Sequence, residues 1–282
     1  MKKLLTVLLG LMMILSLSAC KKQEEPQNEP EPAPTDDVVV MSYGEYAAAE
    51  LGTKVTVEAY VQAAQSYWNG AKLYLQDKDG AYFVYCDGKG EDINLSEEDY
   101  GKLVPSTNYG EGWTGLCDGT KVRVEGVKSE WSGEVEIAEA TVTILDGEKW
   151  VADAKDVTAL LGTEELAGHM NEKVLFSGVV VEAYRPDLNS DETLKDENGN
   201  EVAFAYAWDG SGAEGSNSDL YFTVSVNGES FYNFVVESYL CYEGSDVYET
   251  VKALTVGDVV DLEGFLYWYN APNPHITSVT VR

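Results

Sequence analysis

Residues 119–126 (GTKVRVEG) and 257–264 (GDVVDLEG) match position for position at a constant offset. This internal match constrains the fold more than any other feature, because self-similarity of this size means two domains of one type. The surrounding segments recur in the same order. In the first half, alternating apolar runs at 53–65, 71–76 and 81–86 read as strands. A helix is expected after the Ser96 capping signal, to about residue 104. Strands at 120–128 and 134–145 then form a hairpin across Trp131-Ser132-Gly133. In the second half the strands fall at 173–184, 219–226, 229–237, 258–267 and 275–281, with the helix at 246–254. Tyr100 answers Tyr248 in the two middle helices, and Asn227-Gly228 is a strong hairpin signal. Ser42 and Glu45 form a capping box for a short helix at 43–51, and 158–170 reads as a helical lead-in to the second half.

Three strands, a helix and two strands is the order of the OB-fold, which the chain resembles across 38–282. The resemblance implies an all-β fold with short helices, built as two tandem OB-like five-stranded barrels at 38–149 and 150–282. The second copy carries an insertion at 185–218, rich in Gly, Asn, Asp and Ser. Residues 196–200 are expected to turn an extra hairpin there, with 202–208 as one arm. Insertions on a rigid scaffold often carry function.

The N-terminus carries an address. Met1-Lys2-Lys3 precedes an apolar run at 4–17 and then Ser18-Ala19-Cys20. This is a basic n-region, a short h-region and a small-residue cleavage site. Leu17-Ser18-Ala19-Cys20 resembles the lipobox of bacterial lipoprotein signal peptides. The resemblance implies that 1–19 is removed, that Cys20 carries fatty-acyl chains such as palmitate, and that the protein sits on the extracytoplasmic face of the cell membrane. Two acyl chains at one residue give stable anchoring. Residues 20–37 are dominated by Pro, Glu and Gln and read as a disordered tether.

Composition excludes several chemistries. With 19 Lys+Arg against 49 Asp+Glu, the formal charge is −30. Such a balance repels phosphate backbones, so nucleic acid is a disfavoured partner on charge alone. Besides Cys20 the cysteines are Cys86, Cys117 and Cys241, with no CxxC or HxxxH spacing for zinc. Cys86 and Cys117 are the pair a disulfide would join; otherwise all three read as small buried hydrophobes. His169 and His275 are the only histidines, and neither GxSxG nor a Gly-rich phosphate loop occurs. No catalytic residue is assigned, and the balance favours a protein without enzymatic activity. The rival is a secreted hydrolase using two of the many carboxylates. Calcium is the one cofactor the acids suggest, at Asp77 and Asp79 or at Asp196, Asn198 and Asn200. Both runs read equally as turn chemistry, in which Asp, Asn and Gly serve the backbone.

Aromatic side chains at loops and strand ends are the remaining signal: Tyr67, Trp68, Trp131, Tyr267, Trp268 and Tyr269. On the binding side of an OB barrel, such rings stack on bases or sugars. Packing inside a barrel or between barrels is the competing use. The expected function is therefore a membrane-anchored binding or accessory module, with a glycan, a peptide or an envelope protein as its partner; the alternatives are the hydrolase and extracellular nucleic-acid binding through an OB face.

Overall fold

The computed structural model describes residues 38–67, 70–86, 103, 110, 112–187 and 190–282. The signal peptide, Cys20, the tether, Trp68 and the helix expected near 96–104 lie outside them. Residues Val38–Arg282 form one compact unit.

The unit contains two closed barrels of five strands each, as the repeat requires. In the first, β1 (Lys54–Tyr67), β2 (Gly70–Gln76), β3 (Ala81–Cys86), β4 (Lys121–Trp131) and β5 (Glu134–Ile144) run in the order β1-β2-β3-β5-β4, and β4 pairs back onto β1. A two-residue strand, β6 (Lys155–Asp156), leads into the second barrel. There β7 (Lys173–Glu182), β9 (Leu220–Val226), β10 (Glu229–Val236), β12 (His275–Val281) and β11 (Val259–Phe265) repeat that order, closed by pairing of β7 with β9. The one parallel pairing of each barrel joins its third and fifth strands: Phe83 opposite Glu136, and Val235 opposite His275.

Alternation in sequence becomes alternation in burial. Val55, Val57, Ala59 and Val61 face the first core, while Thr56, Glu58 and Tyr60 look outward. The register slips between Val61 and Ala63, and such a bulge bends a strand that two sheet halves must share. Gly126 and Gly264 explain the matching octapeptides. Both sit at register shifts between the fourth and fifth strands, and a Cβ on either would lie within 2.7 Å of a backbone oxygen across the pair.

The barrels are plugged by helices. α1 (Tyr43–Ala48) has the capping box, with Ser42 N–H donating to Glu45 and Glu45 N–H to Ser42 Oγ. It lowers Tyr46 against Tyr82. Its last carbonyls are covered by a buried lysine: Lys128 Nζ donates to the carbonyls of Tyr46, Ala47 and Ala49 at 3.0, 2.9 and 2.8 Å. α2 (Asp246–Lys252) closes the second barrel with Val247, Tyr248 and Val251. The Asn227-Gly228 hairpin forms, with both residues at positive φ as its turn requires.

Two expectations need adjusting. Residues 158–170 hold two short 3-10 turns, Thr158–Leu160 and Glu164–His169, instead of one helix. Gly162 at φ +78° breaks the run between them. The arm of the insertion shortens to β8 (Phe204–Tyr206), which docks onto β9 and widens the second sheet. No disulfide joins Cys86 to Cys117: Cys86 Sγ donates to Ala140 O, and Cys117 Sγ to Leu103 O at 2.9 Å.

Candidate cleft between the barrels

The barrels meet through an aromatic seam. Tyr74 from β2 stacks on Phe265 from β11 with ring centroids 4.5 Å apart, and Phe83 meets Tyr267 edge-on at 5.2 Å. Tyr74 Oη lies 2.7 Å from His275 Nδ1. Burial holds the His275 imidazole down at about 3, reinforced by Lys72, so the ring is neutral at physiological pH. Backbone bonds stitch the margins: Gly115 N–H donates to Leu240 O, and Tyr242 N–H to Trp113 O. Buried aromatic contact and these hydrogen bonds hold the two barrels against each other.

Beside the seam a cavity of about 420 Å³ opens, lined from both barrels. The first contributes Gln65, Lys72, Tyr85, Trp131 and Glu136; the second contributes Glu237, Tyr239 and Tyr267. Its size falls within the range of small-molecule sites, roughly 300–1,000 Å³. Trp131 is 53% exposed and Tyr239 38%. Gln65 Nε2 donates to Glu237 Oε2 across the joint.

Electrostatics in the cleft are muted. Burial lifts the Glu237 carboxyl to about 7, with Asp219 adding and Lys72 and Gln65 opposing. Burial also raises Glu136, against the pull of Lys72. Behind the cleft, Glu134 is fully buried and accepts from Trp268 N–H at 2.8 Å. Its carboxyl is pushed up to about 8, first by burial and then by Glu136, while Asn171 and the Trp268 N–H oppose the shift. Its Oε1 has no hydrogen-bond partner among the described residues, which a neutral acid tolerates far better than a carboxylate does.

Of the six aromatics singled out by sequence, Trp131 and Tyr267 line the cavity. Tyr269 packs on Trp131 at 5.2 Å, and Trp268 lies over the turn at Gly133. Tyr67 closes β1, and its side chain, like Trp68, is outside the described set. Sequence reasoning missed Lys72, Tyr85, Glu136, Glu237 and Tyr239. Lys72 and Tyr85 do occupy outward positions of their alternating strands, facing each other in register.

The acidic runs serve turns. Asp77 Oδ1 accepts from the N–H groups of Asp79 and Gly80, and Asp196 Oδ1 from those of Asn198 and Asn200. Among the described residues no group of three or more His, Cys, Asp or Glu is placed to hold a metal ion.

No protein-family profile and no curated protein matches the chain. Solved structures with a similar arrangement include the p204 HINb domain, at 10% identity and TM-score 0.28, covering 42% of this chain and 56% of that one. The chain thus spans little more than half of that structure's length. The p202 HIN1 domain in complex with 12-mer dsDNA is 12% identical, with TM-score 0.30, covering 83% of this chain and 96% of that one. A replication protein A heterotrimer bound to ssDNA is 10% identical, with TM-score 0.24, covering 86% and 69%.

These findings correct one expectation. Net charge argued against nucleic acid as a partner, yet the solved structures this chain is similar to include ones in complex with double-stranded and single-stranded DNA. Net charge averages over the whole surface and does not describe a local groove. Nucleic acid is therefore no longer set aside as an unlikely partner, and likenesses of this degree assign no ligand to this chain.

Proposed function

We propose that the chain is a lipid-anchored, extracytoplasmic binding module whose ligand site is the cleft between the two barrels. One observation carries the site: Trp131, Tyr85, Tyr239 and Tyr267 surround a cavity that also presents Lys72, Glu136 and Glu237. Convergent polar groups among aromatic rings are what a ligand pocket needs. The anchor rests on Leu17-Ser18-Ala19-Cys20 behind a basic, apolar leader. Among the described residues no helix is long and apolar enough to cross a membrane. Changing Cys20→Ser is expected to release the protein from the membrane fraction and abolish labelling by a fatty-acid probe. Retention with unchanged labelling would reject the anchor. For the site, Trp131→Ala is expected to weaken ligand binding at least tenfold without lowering the melting temperature, since the ring is half exposed.

A second reading, hydrolysis, is favoured by one feature. Glu136 and Glu237 share the cavity, and both carboxyls are raised toward neutrality, the disposition an acid–base pair uses. Turnover of nitrophenyl glycosides that Glu237→Gln abolishes would replace the binding reading with this one.

A further inference from the structure

The insertion of the second barrel builds a pocket of its own. Its cavity of about 280 Å³ is lined by Ala207, Trp208, Ser218, Asp219, Tyr221 and Tyr239, among others. Tyr239 also lines the inter-barrel cavity, so one ring forms a wall common to both. Trp208 is 65% exposed yet firmly placed. Its carbonyl accepts from Tyr184 Oη at 2.5 Å, and the preceding Ala207 N–H donates to Asp219 O at 3.0 Å. Ala207 itself sits at φ +60°, a strained conformation for a residue with a Cβ. Asp219 is fixed in turn, accepting from Ser238 N–H at 2.8 Å. The backbone on either side of the ring is thus held in place, and the indole presents an open apolar face at the pocket.

We infer that the two pockets are adjoining subsites for a linear, uncharged polyhydroxylated chain, an oligosaccharide of two or more pyranose rings that crosses Tyr239. This rests on the reading of the cleft as the ligand site. A pyranose ring has apolar C–H faces and a rim of hydroxyls that both donate and accept. The faces suit Trp131, Tyr239 and Trp208; the rim suits Gln65, Lys72, Glu136 and Glu237 in one pocket and Ser218 and Asp219 in the other. The charges of the first pocket oppose one another, Lys72 against two acids whose ionisation burial discourages. A neutral ligand rich in hydrogen bonds matches that balance better than a strong cation or anion does.

Calorimetry on the full chain in detergent tests this, with glucose and N-acetylglucosamine and their β-1,4-linked di-, tri- and tetramers as probes. A single-stranded DNA 12-mer serves as the competing class. Affinity is expected to rise at least tenfold from the monosaccharide to the trisaccharide in one series. Trp208→Ala should remove that gain and leave monosaccharide affinity unchanged, whereas Trp131→Ala should weaken both. Both rings are more than half exposed, so both variants should melt as the parent does. If Trp208→Ala is silent or affinity ignores length, the second subsite is wrong and the cleft stands. If Trp131→Ala is silent while sugars bind, the cleft reading itself is wrong. Binding of the oligonucleotide alone, or of no sugar in either series, overturns the ligand class.

Discussion

The two barrels share a strand order, a closure and a glycine at the same bulge, yet they solve the same problems with different residues. The first fills its core with small side chains, Ala59, Ala64, Ala71 and Ala140 among valines, around Tyr46 and Tyr82. The second uses Phe176, Phe222, Phe234 and Phe265. In the first, β1 ends at Tyr67 and β2 starts at Gly70; in the second, the corresponding connection expands into the insertion that carries β8 and Trp208. The frame is fixed at glycines that tolerate no side chain, and its strands carry most of the cleft, while the connection that expands in the second barrel supplies the second pocket. One barrel alone has no such cleft, because its walls come from both.

The matched glycines sharpen this comparison most. Gly119 and Gly257 occupy the same place in the repeat and both have positive φ, +79° and +98°. A Cβ on Gly119 would lie 2.1 Å from Trp150 O, whereas one on Gly257 would meet nothing within 4 Å. Gly119→Ala is expected to cost about 3 kcal/mol, from overpacking added to backbone strain. Gly257→Ala should cost about 1 kcal/mol, from strain alone. Denaturant unfolding of the two variants measures the difference, and equal losses would show that packing at Trp150 is soft.

Next in size is Lys128. It lies two residues past Gly126, as Leu266 lies two past Gly264, and both are buried. The lysine is there because α1 ends above it with three carbonyls to satisfy. Lys128→Leu, which makes the first barrel copy the second, should cost about 2 kcal/mol, because it leaves those carbonyls without their charged donor. A neutral or stabilised variant would mean that water covers the helix end equally well.

A third effect is a pH dependence centred on the joint. Glu134 and Glu237 titrate near 8 and 7 in the folded chain, above their ordinary range. The folded state therefore holds protons that the unfolded chain has released. Stability from these groups is full below about pH 4.5 and is lost as pH rises through 7 and 8. The melting temperature should fall over that window, and Glu134→Gln should flatten the fall. A melting temperature rising from pH 5 to 8 would contradict the placement of these acids.

Much of the frame was legible because it follows period-two alternation and turn chemistry. The octapeptide match, Asn227-Gly228, and the capping box of Ser42 and Glu45 each name a local geometry that sequence alone specifies. The joint was not legible. Glu134 follows a Ser-Gly turn and reads as surface, yet it is fully buried and accepts from the Trp268 N–H of the other barrel. Tyr74 and Phe83 stand on the outward face of their strands, two residues from Lys72 and Tyr85, yet they are buried because they face the neighbouring barrel and belong to its cluster. Alternation reports that a face is buried, not what buries it. Trp131 and Tyr267 were found because they flank turns; Glu237 and Tyr239 were missed because a strand end near Cys241 carries no signature. Trp208 was seen only as the end of an arm, since its anchor, Tyr184, lies before the insertion and its neighbour Tyr221 after it.

The account stands or falls on the inter-barrel cleft. Hydrogen exchange on the full chain, with and without the tightest-binding sugar of the two series at saturation, tests it most directly. Slowed exchange should concentrate in β2, β3, the β4–β5 hairpin around Trp131 and the segment 237–240, from both barrels together. Protection confined to one barrel, away from these segments, would show that the ligand binds elsewhere and that the cleft is only a joint.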